Sequence, residues 1–271
     1  MDIYDPGKEN MENSLNNIPT ETTLMNIKLG NAQDIGAREE QQDSFGISDI
    51  KPETAAAKGI LAVIADGTGA VNSKAYMYAK TAVQTALQSF ASEIPETSEP
   101  ATLLRIVKRA SDAVNNLPIE GGGCTFIGAL IHNKMLFFVS VGDNRLYLMR
   151  NGGLIQMNRE HVYTKELDNL VSYGLIDSES SLKNKEQVIP TSYIGLTEDM
   201  KIDRNTDGVQ LYPGDKIILM TDGVYRYLAE KEMRDMLLKE PMEASESIRK
   251  AIVSKKYTAQ DNLTIVVIEM C

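Results

Sequence analysis

The middle of the chain constrains its fold more than any other part. Four apolar segments, Cys124–Ile131, Met135–Val141, Arg145–Arg150 and Leu154–Met157, are separated by His132-Asn133-Lys134, Gly142-Asp143-Asn144 and Asn151-Gly152-Gly153. Each segment is strand-sized. Three-residue connections leave no room for the crossover that parallel neighbours require. The spacing therefore predicts an antiparallel meander and argues against a doubly wound parallel sheet. Upstream, Gly59–Ala65 is a short apolar run with β-branched residues, closed by Asp66-Gly67, and reads as a buried strand.

Around this centre the chain alternates in blocks. Strand-like regions at Thr23–Asp34 and Ser44–Ser48 come first. Two amphipathic helices follow the Gly59–Ala65 strand: Ala75, Ala79, Ala82, Val83, Ala86 and Phe90 mark one, and Leu103, Leu104, Val107, Ala110 and Val114 the other, with Pro100 near its start. Beyond the meander come a helical patch at about 161–174 and an irregular polar stretch at about 176–192. Then follow a strand Lys216–Thr221 closed by Asp222-Gly223, helices at about 227–238 and 242–254, and a last strand Asn262–Glu269. Strands and helices cluster separately, which is the pattern of an α+β layered domain with helices covering sheet faces. Residues 1–22 are polar and read as a flexible extension; 23–271 reads as one domain.

Composition narrows the chemistry. Two histidines (His132, His161) and two cysteines (Cys124, Cys271) are too few for a Cys₄ or His₃ zinc site and too separated in sequence for a Cys₂His₂ one. A net charge of −10 argues against a nucleic-acid partner, since phosphate backbones are held by surplus Lys and Arg. The apolar runs are far below the ~20 residues that cross a bilayer, so a soluble, cytoplasmic protein without a membrane partner is expected. Any metal chemistry must then run through carboxylate oxygens. Met233, Met236 and Met242 read as packing residues, and Cys124 as buried and inert.

The carboxylates fall at informative places. Asp66 and Asp222 each follow an apolar strand and precede glycine, Asp143 sits in a tight turn between two strands, and Asp261 closely precedes the last strand. Taken singly, each is turn punctuation. Taken together, with Arg38 and Asp43 nearby in sequence to the first strands, they are the material of a multi-carboxylate cation site at one rim of a sheet.

The same residues carry a family resemblance. Gly36-Ala37-Arg38-Glu39-Glu40-Gln41-Gln42-Asp43 resembles the Arg-containing opening motif of the metal-dependent, type 2C serine/threonine protein phosphatases of bacterial type, and Val63-Ile64-Ala65-Asp66-Gly67-Thr68-Gly69-Ala70 resembles their Asp-Gly-Met-Gly-Gly segment. Gly123-Cys124-Thr125, Val141-Gly142-Asp143-Asn144-Arg145, Arg159-Glu160-His161, Thr191–Gly195, Met220-Thr221-Asp222-Gly223 and Asp261-Asn262-Leu263-Thr264 follow in the family's order. The resemblance implies a four-layer α/β/β/α sandwich, two mainly antiparallel sheets flanked by helices, with a short flap at about 161–192. It further implies two Mg²⁺ or Mn²⁺ ions per chain, bridged by Asp66, with the Gly67 carbonyl on one of them. Asp222 and Asp261 complete the set, Asp43 joins through water, and Asp143 with Asp222 holds a third, weaker cation. Arg38 would clamp the phosphoryl group, and Asp66 and Arg38 together would carry catalysis. The implied reaction is hydrolysis of phosphoserine and phosphothreonine in proteins, targets of a Ser/Thr kinase, by a monomer.

Departures from the motif keep alternatives open. Gln42 stands where many relatives carry an acid. Thr68 and Ala70 replace Met and Gly, and Val71 takes the place of a histidine suited to protonating the leaving group. His161 reads as a structural residue at the flap base, and the stretch from about Asp177 to Gln187 lacks the usual His-Pro pair. The rival readings are a catalytically weak or inactive module of the same fold that binds phosphoproteins or a kinase partner, and a phosphatase for small phosphomonoesters.

Overall fold

The computed structural model describes residues 26–69, 74–92, 98–119, 121–163, 190–197 and 199–271. The expected extension 1–22, most of the expected flap with its helical patch and polar stretch, and Ala70 and Val71 lie outside the described residues.

Strand β3, Ile60–Thr68, shows how the layers arise. Its residues are buried on both faces, so the apolar run needs partners on each side. Leu61, Val63 and Ala65 face helices α2 (Ala75–Ser92) and α3 (Glu99–Asn115), packing with Ala79, Val83, Leu103 and Val107. Ala62 and Ile64 point the other way, into a core shared with Leu146, Ile217 and Val266 of a second sheet. A third cluster joins Ile218 and Val267 of that second sheet to Met233, Leu237, Ile248 and Ile252 of the C-terminal helices. Fully burying each of these large aliphatic side chains contributes roughly 1.5–3 kcal/mol, and three apolar seams hold four layers together.

One sheet runs β2 (Asp43–Ile47), β3, β4 (Gly123–His132), β5 (Met135–Val141) and β8 (Asp203–Arg204), with β9 (Val209–Gln210) also on β5. The other runs β1 (Ile27–Asp34), β11 (Leu263–Met270), β10 (Lys216–Met220), β6 (Arg145–Arg150) and β7 (Gly153–Gln156). All described pairings are antiparallel.

The structure corrects the expected meander. β4 and β5 form a hairpin, and β6 and β7 form another, but β5 and β6 do not pair: β6 lies beside β10 in the opposite sheet. The chain changes sheets at Gly142, whose φ of 102° lies in the left-handed region, and a Cβ there would stand 2.6 Å from the Thr125 methyl carbon. The Asp66-Gly67 pair is corrected too. It is not a turn, because β3 continues through it, pairing Asp66 with Thr125 and Gly67 with Cys124. Ladders on both sides satisfy the backbone there and override local turn propensity.

Smaller differences follow from caps and edges. The expected strand Lys216–Thr221 stops at Met220, since Thr221 caps the one-turn helix α4 (Asp222–Tyr225). The helix expected at 227–238 is the shorter α5 (Glu230–Leu237), and α6 spans Pro241–Ser254. The last strand is shifted by one residue from the expected Asn262–Glu269. Helix α1 (Pro52–Lys58), β8 and β9 were not expected. Met242 is exposed rather than packed, whereas Met233 and Cys124 are buried. Among the described residues no helix is long and apolar enough to cross a membrane.

Candidate functional site

The two sheets bring the acids to one end of the sandwich from five places in the chain. Asp43 starts β2 and stands opposite Asp66 on β3; Thr125 flanks Asp66 on β4. Asp222 opens α4, Asp261 precedes β11, and Asp143 sits where the chain passes between sheets. Asp66, Asp143, Asp222 and Asp261 line a cleft of about 360 Å³ together with Arg38 and Arg226.

Asp43 is held by threonine hydroxyls. It accepts hydrogen bonds at Oδ2 from the hydroxyls of Thr221 (2.9 Å), just after β10, and Thr264 (2.7 Å), on β11 of the opposite sheet. One of its oxygens thus clamps the sheets together behind Asp66.

Arg38 reaches neither Glu39 nor Glu40; its Nη2 donates to Asp261 Oδ2 at 2.7 Å. Arg226 Nη2 lies 2.9 Å from Asp222 Oδ2 and 3.5 Å from Asp143 Oδ2. Tyr225 Oη donates to the Asp143 carbonyl (3.1 Å) and Oδ2 (3.3 Å), and the Arg145 guanidinium lies 3.6 Å above its ring while bonding Glu160. His161 is structural: its Nδ1 accepts from the Gly142 N–H and its own N–H donates to the Gly142 carbonyl, fixing the Asp143 turn.

Asn262 ties the Arg38 loop to the second sheet. Its Nδ2 donates to the carbonyls of Ile35 and Glu40, and its Oδ1 accepts from the Gln42 N–H. Gly223 permits the close approach of this segment, for a Cβ there would fall 1.9 Å from the Asn262 carbonyl oxygen. Thr221, Asn262 and Thr264 stand in the quoted motifs but are given no role by them, and Tyr225 and Arg226 stand outside those motifs. Only the four-residue spacing of Asp222 and Arg226, had a helix been placed there, pointed to a pair.

Burial and mutual repulsion govern the protonation of these acids. Burial raises Asp66 well above the usual carboxylate range, with Asp43, Asp222, Asp143 and Asp261 adding to it. Burial likewise pushes Asp222 up to about 7, with Asp143 adding and Arg226 opposing. Asp43 rises to about 6 by burial, against the two threonine hydroxyls. Burial also raises Asp143, and Arg226 again opposes.

The donor set fits hard divalent cations. All its atoms are oxygens, Asp222 Oδ1 is buried without a hydrogen-bond partner, and the protein carries several carboxylates that repel one another. Among the described residues, however, no three His, Cys, Asp or Glu side chains already converge closely enough to hold an ion. Arg38 and Arg226 engage three of the carboxylates, Asp261, Asp222 and Asp143, each at Oδ2.

A pH dependence follows for the metal-free protein. Asp43 and Asp222 have folded values of about 6 and about 7, above the ordinary 3.8, so the native state binds their protons more tightly than the unfolded chain. That stabilisation is full below pH ~4 and is lost as pH rises through 6 and 7. In EDTA the melting temperature should fall by several degrees between pH 5 and pH 8, and Mn²⁺ at pH 8 should restore it. Equal melting temperatures at both pH values in EDTA would contradict this electrostatic picture.

Comparison with known proteins agrees with the geometry. The family profile described as protein phosphatase 2C matches residues 33–255. The chain belongs to the protein phosphatase 2C family. It is 27% identical to the serine/threonine phosphatase stp of Listeria welshimeri over 158 residues, covering 58% of this chain and 60% of the relative. The chain thus matches about 60% of the length of that curated relative. Among solved structures, the PPM Ser-Thr phosphatase MsPP from Mycobacterium smegmatis in complex with cacodylate has a TM-score of 0.69 at 24% identity. The alignment covers 90% of this chain and 98% of that one. The catalytic domain of the serine threonine protein phosphatase PstP in complex with two manganese ions has a TM-score of 0.64 at 20% identity, covering 90% and 97%. Both likenesses concern the fold. Within this protein phosphatase 2C chain, Gln42 turns its backbone N–H and carbonyl to Asn262 and Gly67, so the position that departs from the motif is structurally occupied by main-chain bonds.

Proposed function

We propose that this protein phosphatase 2C chain hydrolyses phosphoserine and phosphothreonine in proteins with two Mg²⁺ or Mn²⁺ ions. The observation that carries the reading is the convergence of Asp66, Asp143, Asp222 and Asp261 on one cleft with Arg38 at its rim. Asp66, the Gly67 carbonyl, Asp222 and Asp261 would hold the cations, and Asp43 supports Asp66 from behind. When bound, such ions supply Lewis-acid activation of water for in-line attack on a phosphomonoester.

The chain's own groups do the rest. Arg38 is half exposed and paired to Asp261, so it is free to transfer its planar fork to phosphoryl oxygens once that carboxylate is engaged elsewhere. Asp66 is held by ladders on both sides, which fixes its carboxylate without mobile loops. The expected third cation is where the residues do not fit, because Arg226 already stands between Asp143 and Asp222. The proposal takes the substrate to be the product of a protein Ser/Thr kinase and the enzyme to work as a cytoplasmic monomer, where kinase products and Mg²⁺ are both at hand.

The test is hydrolysis of p-nitrophenyl phosphate and of a phosphothreonine peptide, with Mn²⁺ and with EDTA. Turnover that needs Mn²⁺ and prefers the peptide supports the reading. Preference for the small ester supports the phosphomonoester rival, and absence of turnover at every Mn²⁺ concentration supports the binding module. Arg38→Ala should raise KM about tenfold with a smaller fall in kcat, since a phosphoryl clamp acts in the ground and transition states alike. A fall in kcat alone would contradict the clamp.

A further inference from the structure

We infer that the Arg226 guanidinium is a resident cation that replaces a third metal ion at the Asp143–Asp222 pair. The inference rests on the metal reading of the cleft and concerns how many ions it takes. Asp143 lies just before β6 and Asp222 just after β10, neighbouring strands of one sheet, and both are almost fully buried. Two carboxylates so placed need a positive charge between them, supplied either by an inorganic ion or by a side chain.

The one-turn helix α4 supplies the side chain. It sets Arg226 four residues after Asp222, so the guanidinium folds back over the carboxylate that opens the same turn, at 2.9 Å, and extends to Asp143 at 3.5 Å. Asp143 is turned toward it by the Tyr225 hydroxyl, and Tyr225 is in turn capped by Arg145 over its ring. Asp222 keeps bonding capacity for the cleft, because Arg226 meets its Oδ2 and leaves Oδ1 without a hydrogen-bond partner. Asp222 Oδ1 stays without a hydrogen-bond partner and points to its use as a ligand for an ion shared with Asp66 and Asp261.

Three physical reasons make the guanidinium the winner over a divalent ion at this pair. It is attached to the same helical turn as Asp222, so it competes without loss of translational freedom. It cannot be deprotonated at any working pH. It already occupies the position between Asp143 Oδ2 and Asp222 Oδ2 that a third ion would have to take.

The full-length chain, stripped with EDTA and dialysed, is titrated with Mn²⁺ by calorimetry, and bound Mn²⁺ is counted by elemental analysis. The wild type and Arg226→Lys should each saturate at two ions per chain. Arg226→Gln should take up one more, at least tenfold weaker, and that ion should vanish in Arg226→Gln/Asp143→Asn. A wild type that binds three ions overturns the inference whether or not the variants fold, as does Arg226→Gln saturating at two. A wild type that binds none overturns the metal reading itself, and the inference with it.

Discussion

Asp66→Asn should lose at least about a thousandfold in Mn²⁺-dependent turnover and yet melt at a higher temperature than the wild type in EDTA. The two effects share one cause. Burial, and then four neighbouring carboxylates, raise the proton affinity of Asp66, so in the metal-free protein folding disfavours its ionised form. The amide has the same shape and can stay between β2 and β4, but it removes that repulsion. It also removes a hard anionic ligand, and a thousandfold corresponds to about 4 kcal/mol of transition-state stabilisation. Calorimetry in EDTA and steady-state assay in Mn²⁺ measure both arms. Full activity in the variant would remove Asp66 from the mechanism. A lower melting temperature in EDTA would mean that its contacts outweigh its charge.

Gly223→Ala should be severely damaging to both stability and activity. The new Cβ would lie 1.9 Å from the Asn262 carbonyl oxygen and 2.8 Å from its carbon, both main-chain atoms that cannot rotate away. Either α4 or the start of β11 has to move. Moving α4 displaces Asp222 and Arg226; moving β11 displaces Asp261 and, through the Asn262 side chain, the loop that carries Arg38. A loss of about 3–5 kcal/mol is expected for overpacking against main chain, which is on the order of 10 °C in a domain of this size, with activity lost alongside. Gly152→Ala is the control: its φ of 75° strains any side chain, but nothing lies within 4 Å of the new methyl. Its melting temperature should fall by less than half as much. A Gly223→Ala protein that melts within two or three degrees of the wild type would show that the two segments can separate at little cost.

Legibility of the site followed from which interactions are local. The apolar strands, the two long amphipathic helices and the positions of the acids beside core strands can be read from Ile60–Ala65, Ala75–Phe90 and Ile217–Met220, because periodicity and burial are properties of short segments. The sheet change at Gly142 was hidden, since a three-residue turn is compatible with a hairpin and with a step between layers. Which one forms depends on whether β6 finds more to bury beside β5 or beside β10. Asp66-Gly67 was misread as a turn for the same reason: its backbone partners, Asp43, Thr125 and Cys124, lie far away in sequence.

The amino-acid order by itself determined the layered α+β class, the oxygen-only chemistry left by two histidines and two cysteines, and the identity of the acids, because hydrophobic period and ligand chemistry are written residue by residue. Only the tertiary structure decided what faces those acids. The threonines on Asp43, Arg38 on Asp261 and Arg226 between Asp143 and Asp222 are contacts of the packed sheets and of one helical turn at their edge. Their energies depend on distance and burial, which no local pattern contains.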